Sequence, residues 1–392
     1  MKNAKTEIKI LHIQLLPLLT GVQNVMLNLI SHLELENKEK CHRYFTPKFT
    51  FSVASAPGGP LVEKLNDMQI KHFPISGLVQ KIILYDIIIF WKFYRICRIC
   101  KFDIVHTHSS KTGFLGRIAA RLAGVPIVIH TIHGFSFNPF QSFPKRLFFM
   151  FLEWVGALFC DLAISVNDSE RFVAVEKKII PRSKIITIYN GIEPLKPTGE
   201  IKRSDLGFNN SDIIFGCVSR FSKQKNILKL IKIAIGITKQ DDKIKFVFVG
   251  DGEMFSQAKK MIGDADCAHS INLPGWQSNI PEWNKLFDVY ILYSLWEGLS
   301  LSVIEALSLA KPVILSNIKG NNELVDEGKN GFLADVKRGK DLEEKILLLT
   351  RDKTLIEEMG KESKIKFQKR FTVKRFVENY RKQYKKLIQE KL

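Results

Sequence analysis

Asp103-Ile-Val-His-Thr-His-Ser-Ser-Lys-Thr-Gly-Phe-Leu-Gly-Arg-Ile-Ala-Ala-Arg-Leu-Ala-Gly-Val-Pro-Ile-Val-Ile-His-Thr131 decides the fold. A β-branched run, Ile104 to His108, leads into a helical stretch, Gly113 to Ala123, and then into a second apolar run, Ile127 to Thr131. Strands alternating with helices argue for a parallel sheet covered on both faces. The same alternation extends upstream through Ile8 to Gln14, a helix from about Val22 to Leu33, Phe49 to Ala54 and a helix near Leu61. Downstream come a Phe-rich helix from about Pro144 and the strands Leu162 to Val166 and Ile185 to Tyr189.

Asn190 to Gly199, with Pro194, Pro197 and two Gly, reads as a linker. The alternation then restarts at Ile213 to Ser219, Phe246 to Val249, Ile271 to Leu273, Val289 to Leu292 and Pro312 to Leu315. The expected architecture is α/β, two Rossmann-like doubly wound domains facing across a cleft: residues 1–195 and residues 196–372. A long basic helix, residues 373–392, either stays on the second domain or packs back onto the first.

The composition, 45% apolar and 25% charged over 392 residues, is globular. Six Cys lie scattered at 41, 97, 100, 160, 217 and 267 with no second C-x-x-C pair, so Cys97 and Cys100 read as helix packing residues. No N-terminal stretch has the form of a signal peptide, and the expected location is cytoplasmic. The apolar run Ile82 to Cys100 is broken by Asp86, Lys92, Arg95 and Arg98, so it reads as an amphipathic or buried helix rather than a span. Net charge is +19, with ten basic against two acidic side chains in residues 80–150 and twelve against three in 361–392. Such clusters beside apolar surface suit an anionic membrane face or phosphorylated ligands, and no nucleic-acid-binding pattern is present.

In open parallel sheets ligands bind beyond the carboxyl ends of the strands. Glu297-Gly-Leu-Ser-Leu-Ser-Val-Ile-Glu305 leaves one such end and starts a helix, with Glu297 before the helix and Glu305 inside it. Backbone N–H groups at Gly298, Leu299, Ser300, Leu301 and Ser302 then face outward at the positive end of the helix dipole, a ready phosphate site. Arg220 and Lys225 follow another strand end, with Lys223 between them; fixed cations there suit a diphosphate leaving group. His106, His108, His130 and His133 alternate along strand ends, where neighbours point to opposite faces and serve structure, so no metal site is assigned to them; His133 is the exception as a functional residue, because a Gly follows it at a strand end. Asp264 and Asp266 form a D-x-D in a solvated turn, and Gly250 with Gly252 is a truncated dinucleotide fingerprint.

These segments occur in an order that resembles the retaining glycosyltransferases of family 4 along nearly the whole chain. The matching residues are Asp103 to Gly113, His130-Thr-Ile-His-Gly134, Asn190-Gly-Ile-Glu193, Ser219 to Lys225, Val249-Gly-Asp-Gly252, Glu297 to Glu305 and Ile318 to Glu323. The resemblance implies a GT-B fold, a nucleotide diphosphate-sugar donor, retention of anomeric configuration and no obligatory metal or other cofactor. Carried over by position, Arg220 and Lys225 clamp the diphosphate, Glu297 contacts the donor sugar, Glu305 binds the ribose and His133 faces the transferred sugar. Leu19-Thr-Gly-Val22 corresponds to a glycine loop that usually has two Gly; here Thr20 precedes Gly21, which still allows close backbone approach.

The segment Phe135 to Cys160, with Pro139, Pro144, Lys145, Arg146 and Trp154 among many Phe, suits a surface that skims a bilayer. Together with the resemblance to capsule and surface-polysaccharide enzymes, it points to a polyprenyl-diphosphate-linked glycan acceptor and a peripheral position at the inner face of the plasma membrane. A nucleotide-sugar 2-epimerase of the same fold and a non-catalytic nucleotide-sugar or membrane-binding protein are the alternatives, separated by product analysis.

Overall fold

A computed structural model of the chain describes residues 5–39, 47–137 and 140–392, so Cys41 and Pro139 lie outside the described residues. The chain divides into two compact units, residues 1–191 with 373–392, and residues 192–372.

Unit 1 opens with β1 (Glu7–Ile13), α1 (Gly21–Glu39), β2 (Lys48–Ser55), α2 (Gly59–Asp67), β3 (Lys71–Pro74) and α3 (Asp86–Cys100). It continues with β4 (Ile104–His108), α4 (Ser110–Leu122), β5 (Ile127–Ile132), α5 (Phe143–Leu158), β6 (Leu162–Ser165), α6 (Asp168–Glu176) and β7 (Ile185–Thr187). The sheet order is β3-β2-β1-β4-β5-β6-β7, every pair parallel. β4 and β5 are buried on both faces and carry no exposed residue; they are rich in Ile and Val, and their buried His and Thr hydrogen-bond one another.

Unit 2 runs β8 (Ile213–Val218), α7 (Ile227–Thr238), β9 (Ile244–Val249), α8 (Phe255–Asp264), β10 (Ile271–Gly275), α9 (Ile280–Leu286) and β11 (Val289–Leu292). It ends with α10 (Leu301–Ser308), β12 (Val313–Ser316), β13 (Gly331–Ala334), α11 (Gly339–Thr350) and α12 (Lys353–Arg370). Its sheet, β10-β9-β8-β11-β12-β13, is also wholly parallel. In both units the strand order reverses beside the first strand of the unit, and loops at that switch point form the natural ligand site.

The last helix, α13 (Val373–Lys391), belongs to unit 1 and packs against α1. Its buried Tyr380 and Tyr384 face the sheet, while its Lys and Arg residues point largely outward. On the other face of the sheet, α4 is flanked by α3 and α5. A fully buried ion pair, Arg117 Nη2 to Glu153 Oε2 at 2.9 Å, ties α4 to α5. Cys97 packs in the core of α3 with Cys100 half-buried beside it; burial pushes the Cys97 thiol up to about 12, so it is chemically quiet.

Candidate functional site

Unit 2 gathers its chemistry at the carboxyl ends of β8, β9, β11 and β12. The loop after β8 carries Arg220 and Lys225, and the loop after β11 carries Glu297. These two loops are stitched together: Lys225 Nζ donates to Glu297 Oε1 at 2.6 Å, Gln224 Nε2 donates to Trp296 O at 2.9 Å, and Leu295 N donates to Gln224 O at 2.8 Å. Ser294 Oγ also donates to Glu297 Oε1 at 2.6 Å, so the carboxylate is fixed from two sides. The pair is largely enclosed, with 17% of the Lys225 and 7% of the Glu297 side chain exposed. Arg220 is exposed on the same loop, whereas Phe221 turns inward and packs on Phe255.

Two glycines allow neighbouring segments to pack closely on the loops that carry this pair. At Gly250, φ is +134° and an added Cβ would lie 2.0 Å from Ser219 O. At Gly320, φ is +86° and a Cβ would lie 1.9 Å from Gly298 O. At Gly252 an added Cβ would lie 2.6 Å from Phe221 O, so both Gly of the truncated fingerprint have a packing reason independent of dinucleotide binding.

Gly298, Leu299 and Ser300 lead into α10, which starts at Leu301. Ser300 occupies the N-cap position, yet no side chain caps the helix and no acidic residue lies in its first turn. The first-turn N–H groups and the helix dipole thus form an electropositive end beside Lys225 and Glu297. Ser302 is tied instead to the hydroxyl of Tyr290 at 2.8 Å, a hydroxyl that also sits 3.0 Å from Val218 O. Tyr290 is a bracing residue that sequence reasoning missed; its place inside an apolar strand gives no signal. One turn further, Glu305 is half-buried, and burial raises its carboxyl to about 7. Asp264 and Asp266 are exposed at the end of α8 and in the turn after it, the opposite end of the sheet from this site.

Unit 1 holds the other predicted residues. Gly21 begins α1, and the departure at Thr20 has a structural reason: Thr20 N donates to Gln23 Oε1 at 3.2 Å and the Thr20 hydroxyl also meets that oxygen. The Gln23 side chain thus reaches back to the start of the helix, as in one half of a capping box, and satisfies the Thr20 N–H.

The expectation that the His residues face opposite ways is corrected for His106 and His108. Two apart on β4, they share a face and stack, ring centroids 4.5 Å apart, because the strand period is two. His12 of β1 joins them through the parallel register that sets it beside His106. His130 takes the other face, its Nδ1 2.9 Å from Thr107 Oγ1. His133 follows β5 and its Nε2 lies 3.0 Å from His108 Nδ1.

Among the described residues, His12, His106 and His108 are the one trio whose ligand atoms lie within 4.8 Å of one another. Both ring nitrogens of His106 are already engaged, with Tyr384 Oη and Thr131 Oγ1 at 2.7 Å each. The trio as it stands is organised by hydrogen bonds, and a cation would have to break them.

Two wholly parallel Rossmann-like units, each a doubly wound sheet, define the GT-B class of glycosyltransferases. The comparisons agree with that class. A model of glycosyl transferases group 1 matches residues 199–366, and a model of glycosyltransferase family 4 matches residues 20–194. The chain is 36% identical over 365 residues to the UDP-Gal:alpha-D-GlcNAc-diphosphoundecaprenol alpha-1,3-galactosyltransferase of Escherichia coli, covering 91% of each chain. It is 22% identical to the N-acetyl-alpha-D-glucosaminyl L-malate synthase of Bacillus anthracis, over 78% of this chain and 80% of that one. The crystal structure of Anabaena Alr3699/HepE in complex with UDP superposes with a TM-score of 0.79 at 18% identity, covering 97% of this chain and 100% of that one. The chain belongs to glycosyltransferase family 4 and is a glycosyltransferase.

Proposed function

We propose that this enzyme transfers a sugar, with retention of configuration, from a UDP-sugar to a diphosphoundecaprenol-linked glycan. The observation that carries this reading is the fixed Lys225 and Glu297 pair beside the uncapped start of α10. Lys225, Arg220 and the α10 N–H groups bind the diphosphate and stabilise the charge that develops as the nucleotide leaves. Glu297 accepts hydrogen bonds from the donor sugar, Glu305 from the ribose hydroxyls, and His133 offers a ring nitrogen to the transferred sugar. Gly21 permits close backbone approach at the start of α1.

The acceptor hydroxyl attacks the anomeric carbon from the side on which the nucleotide departs. The bond to the leaving phosphate oxygen breaks as the new glycosidic bond forms, and that oxygen takes the acceptor proton. No covalent enzyme intermediate and no metal enter this route, since side chains and backbone supply the positive charge.

The choice of UDP and of a diphosphoundecaprenol acceptor follows the relative that is 36% identical. A second feature supports the lipid acceptor. Exposed Phe140, Phe143, Leu147, Phe151, Trp154 and Leu158 recur every three or four residues along and just before α5, with Lys145 and Arg146 at one end. Across α4, the helix α3 and the turn before it expose Leu84, Ile87, Trp91 and Ile99. None of the described helices is long and apolar enough to cross a membrane. An apolar face with basic residues suits peripheral binding to the anionic, cytoplasmic face of the plasma membrane.

Thermal-shift measurements with UDP, GDP and ADP test the donor reading: UDP alone stabilises the protein, and a response to GDP or ADP but not UDP rejects it. Flotation with liposomes containing anionic lipid tests the acceptor side. Loss of flotation in a Phe143→Ser, Phe151→Ser variant of unchanged Tm supports the α5 face, and wild-type protein that stays at the bottom of the gradient rejects it.

A further inference from the structure

Three imidazoles form a hydrogen-bonded file that ends at His133. His12 Nδ1 lies 3.0 Å from His108 Nε2, and His108 Nδ1 lies 3.0 Å from His133 Nε2. The three residues sit at successive positions near the carboxyl edge: next to last in β1, last in β4 and just past β5. Burial keeps them neutral, lowering His12 to about 3 and His133 to about 4, and holding His108 well below its ordinary value.

A neutral imidazole has one N–H donor and one acceptor nitrogen. Two bonds through three rings can therefore be made in only two ways, with every proton pointing toward His133 or every proton pointing toward His12. The second way puts a proton on His12 Nε2, which is buried and has no hydrogen-bond partner among the described residues. A buried, unpaired N–H is the rarer and costlier kind of orphan group. The first way leaves only a bare ring nitrogen there, which favours it.

The neighbours hold this arrangement without competing for its protons. His106 bonds Tyr384 Oη and Thr131 Oγ1 through its two nitrogens, and Thr131 Oγ1 lies 3.0 Å from Tyr380 Oη. Its ring stacks on His108 at 4.5 Å and lies 4.9 Å from His12. Two phenols of α13 thus brace the ring that fixes the plane of His108. The hydroxyl of Thr112, in the first turn of α4, also holds the His108 carbonyl.

We propose that His12 and His108 are positioning residues that fix His133 as the Nδ1–H tautomer, so that His133 presents a hydrogen-bond donor rather than an acceptor to the transferred sugar. The functional half of this statement rests on the proposed role of His133; the tautomer does not. With protons running toward His133, its other ring nitrogen, Nδ1, carries hydrogen and suits a sugar hydroxyl or ring oxygen as acceptor.

The test is long-range ¹H–¹⁵N spectroscopy of the full chain labelled with ¹⁵N-histidine, with His133 assigned by its loss in His133→Gln. The expected wild-type spectrum shows hydrogen on Nδ1 of His133 and a bare Nε2; hydrogen on Nε2 overturns the proposal without any variant. His12→Phe removes the first donor and keeps an aromatic ring in place, and His12→Asn returns an N–H near the Nδ1 position. The phenylalanine variant is expected to give a mixture of His133 tautomers and a kcat about tenfold lower with the donor KM unchanged, the size of one ordinary hydrogen bond. The asparagine variant restores both readouts. A His12→Phe spectrum identical to wild type overturns the proposal. Full turnover in His133→Gln alongside the expected tautomer refutes the sugar-facing role of His133 and leaves the file itself supported.

Discussion

Replacing Lys225 by Met removes the ammonium group and keeps the apolar stem. In the folded protein that ammonium is 2.6 Å from Glu297 Oε1, and little of either side chain is exposed. Among the described residues, the carboxylate would be left with the Ser294 hydroxyl. A hydrogen bond to a charged group contributes about 1.5–3 kcal/mol, and an enclosed charge that loses its partner costs at least as much. The pair is not fully dry, so the expected loss is about 2 kcal/mol. In a unit of this size that lowers Tm by about 4–8 °C.

The same ammonium is proposed to clamp the diphosphate, so the variant should also lose about 10- to 100-fold in UDP affinity. Glu297→Gln is the control. Its amide oxygen still accepts from Ser294 and Lys225, so it should cost about 1 kcal/mol in stability, leave UDP affinity within a few-fold of wild type, and lower turnover far more. The double variant should be less destabilised than the two single losses added, because the two changes remove one shared interaction. Chemical denaturation and isothermal titration with UDP read both quantities. Wild-type stability together with wild-type UDP affinity in Lys225→Met would refute the reasoning.

Glu305 gives a pH prediction. Its carboxyl titrates near 7 in the free protein because burial disfavours the charge, and ribose hydroxyls donating to it would favour the charged form. UDP affinity should therefore be highest above pH 7 and fall as pH drops through that value, with close to one proton released on binding at pH 6; calorimetry in two buffers of different ionisation heat checks this, and proton-neutral binding contradicts it. Arg117→Leu leaves Glu153 charged and buried and should cost about 3–5 kcal/mol, whereas Arg117→Met with Glu153→Leu should recover much of that, as measured by urea unfolding. Gly320→Ala combines a positive φ with a 1.9 Å clash against Gly298 O, so it should lower both Tm and turnover by displacing the Glu297 loop; an alanine variant of unchanged activity would show that the loop yields freely.

The central strands were legible because burial on both faces selects runs rich in apolar and β-branched residues: Ile104 to His108 and Val289 to Leu292 fold with the bounds read from the sequence, the former despite its two buried His. The edge strands β3 and β13 were not read. Lys71-His-Phe-Pro74 and Gly331-Phe-Leu-Ala334 are four residues each, carry Lys, Pro or Gly, and are only partly buried. The pairing of Lys225 with Glu297 spans 72 residues and belongs to the sheet topology, so no local pattern reports it. The His file was hidden for the same reason, since His12 meets His108 only through the parallel register of β1 with β4. Thr20 was legible and was overlooked: Thr followed three residues later by Gln, at the start of an apolar helix, is a capping signature. The run Ile82 to Cys100 was read as an amphipathic or buried helix, and the helix formed has a buried side at Ile89, Phe93 and Cys97 and an apolar exposed side at Ile87, Trp91 and Ile99.

The most direct measurement is ¹H NMR of the product formed when the enzyme meets a panel of UDP-hexoses and UDP-N-acetylhexosamines with a GlcNAc-diphosphoundecaprenol acceptor. One UDP-sugar should give an acceptor-dependent product whose new linkage keeps the α configuration of the donor, and Glu297→Gln should abolish most of it. A β-linked product, or consumption of the donor with no transfer to the acceptor, would contradict the proposed reaction.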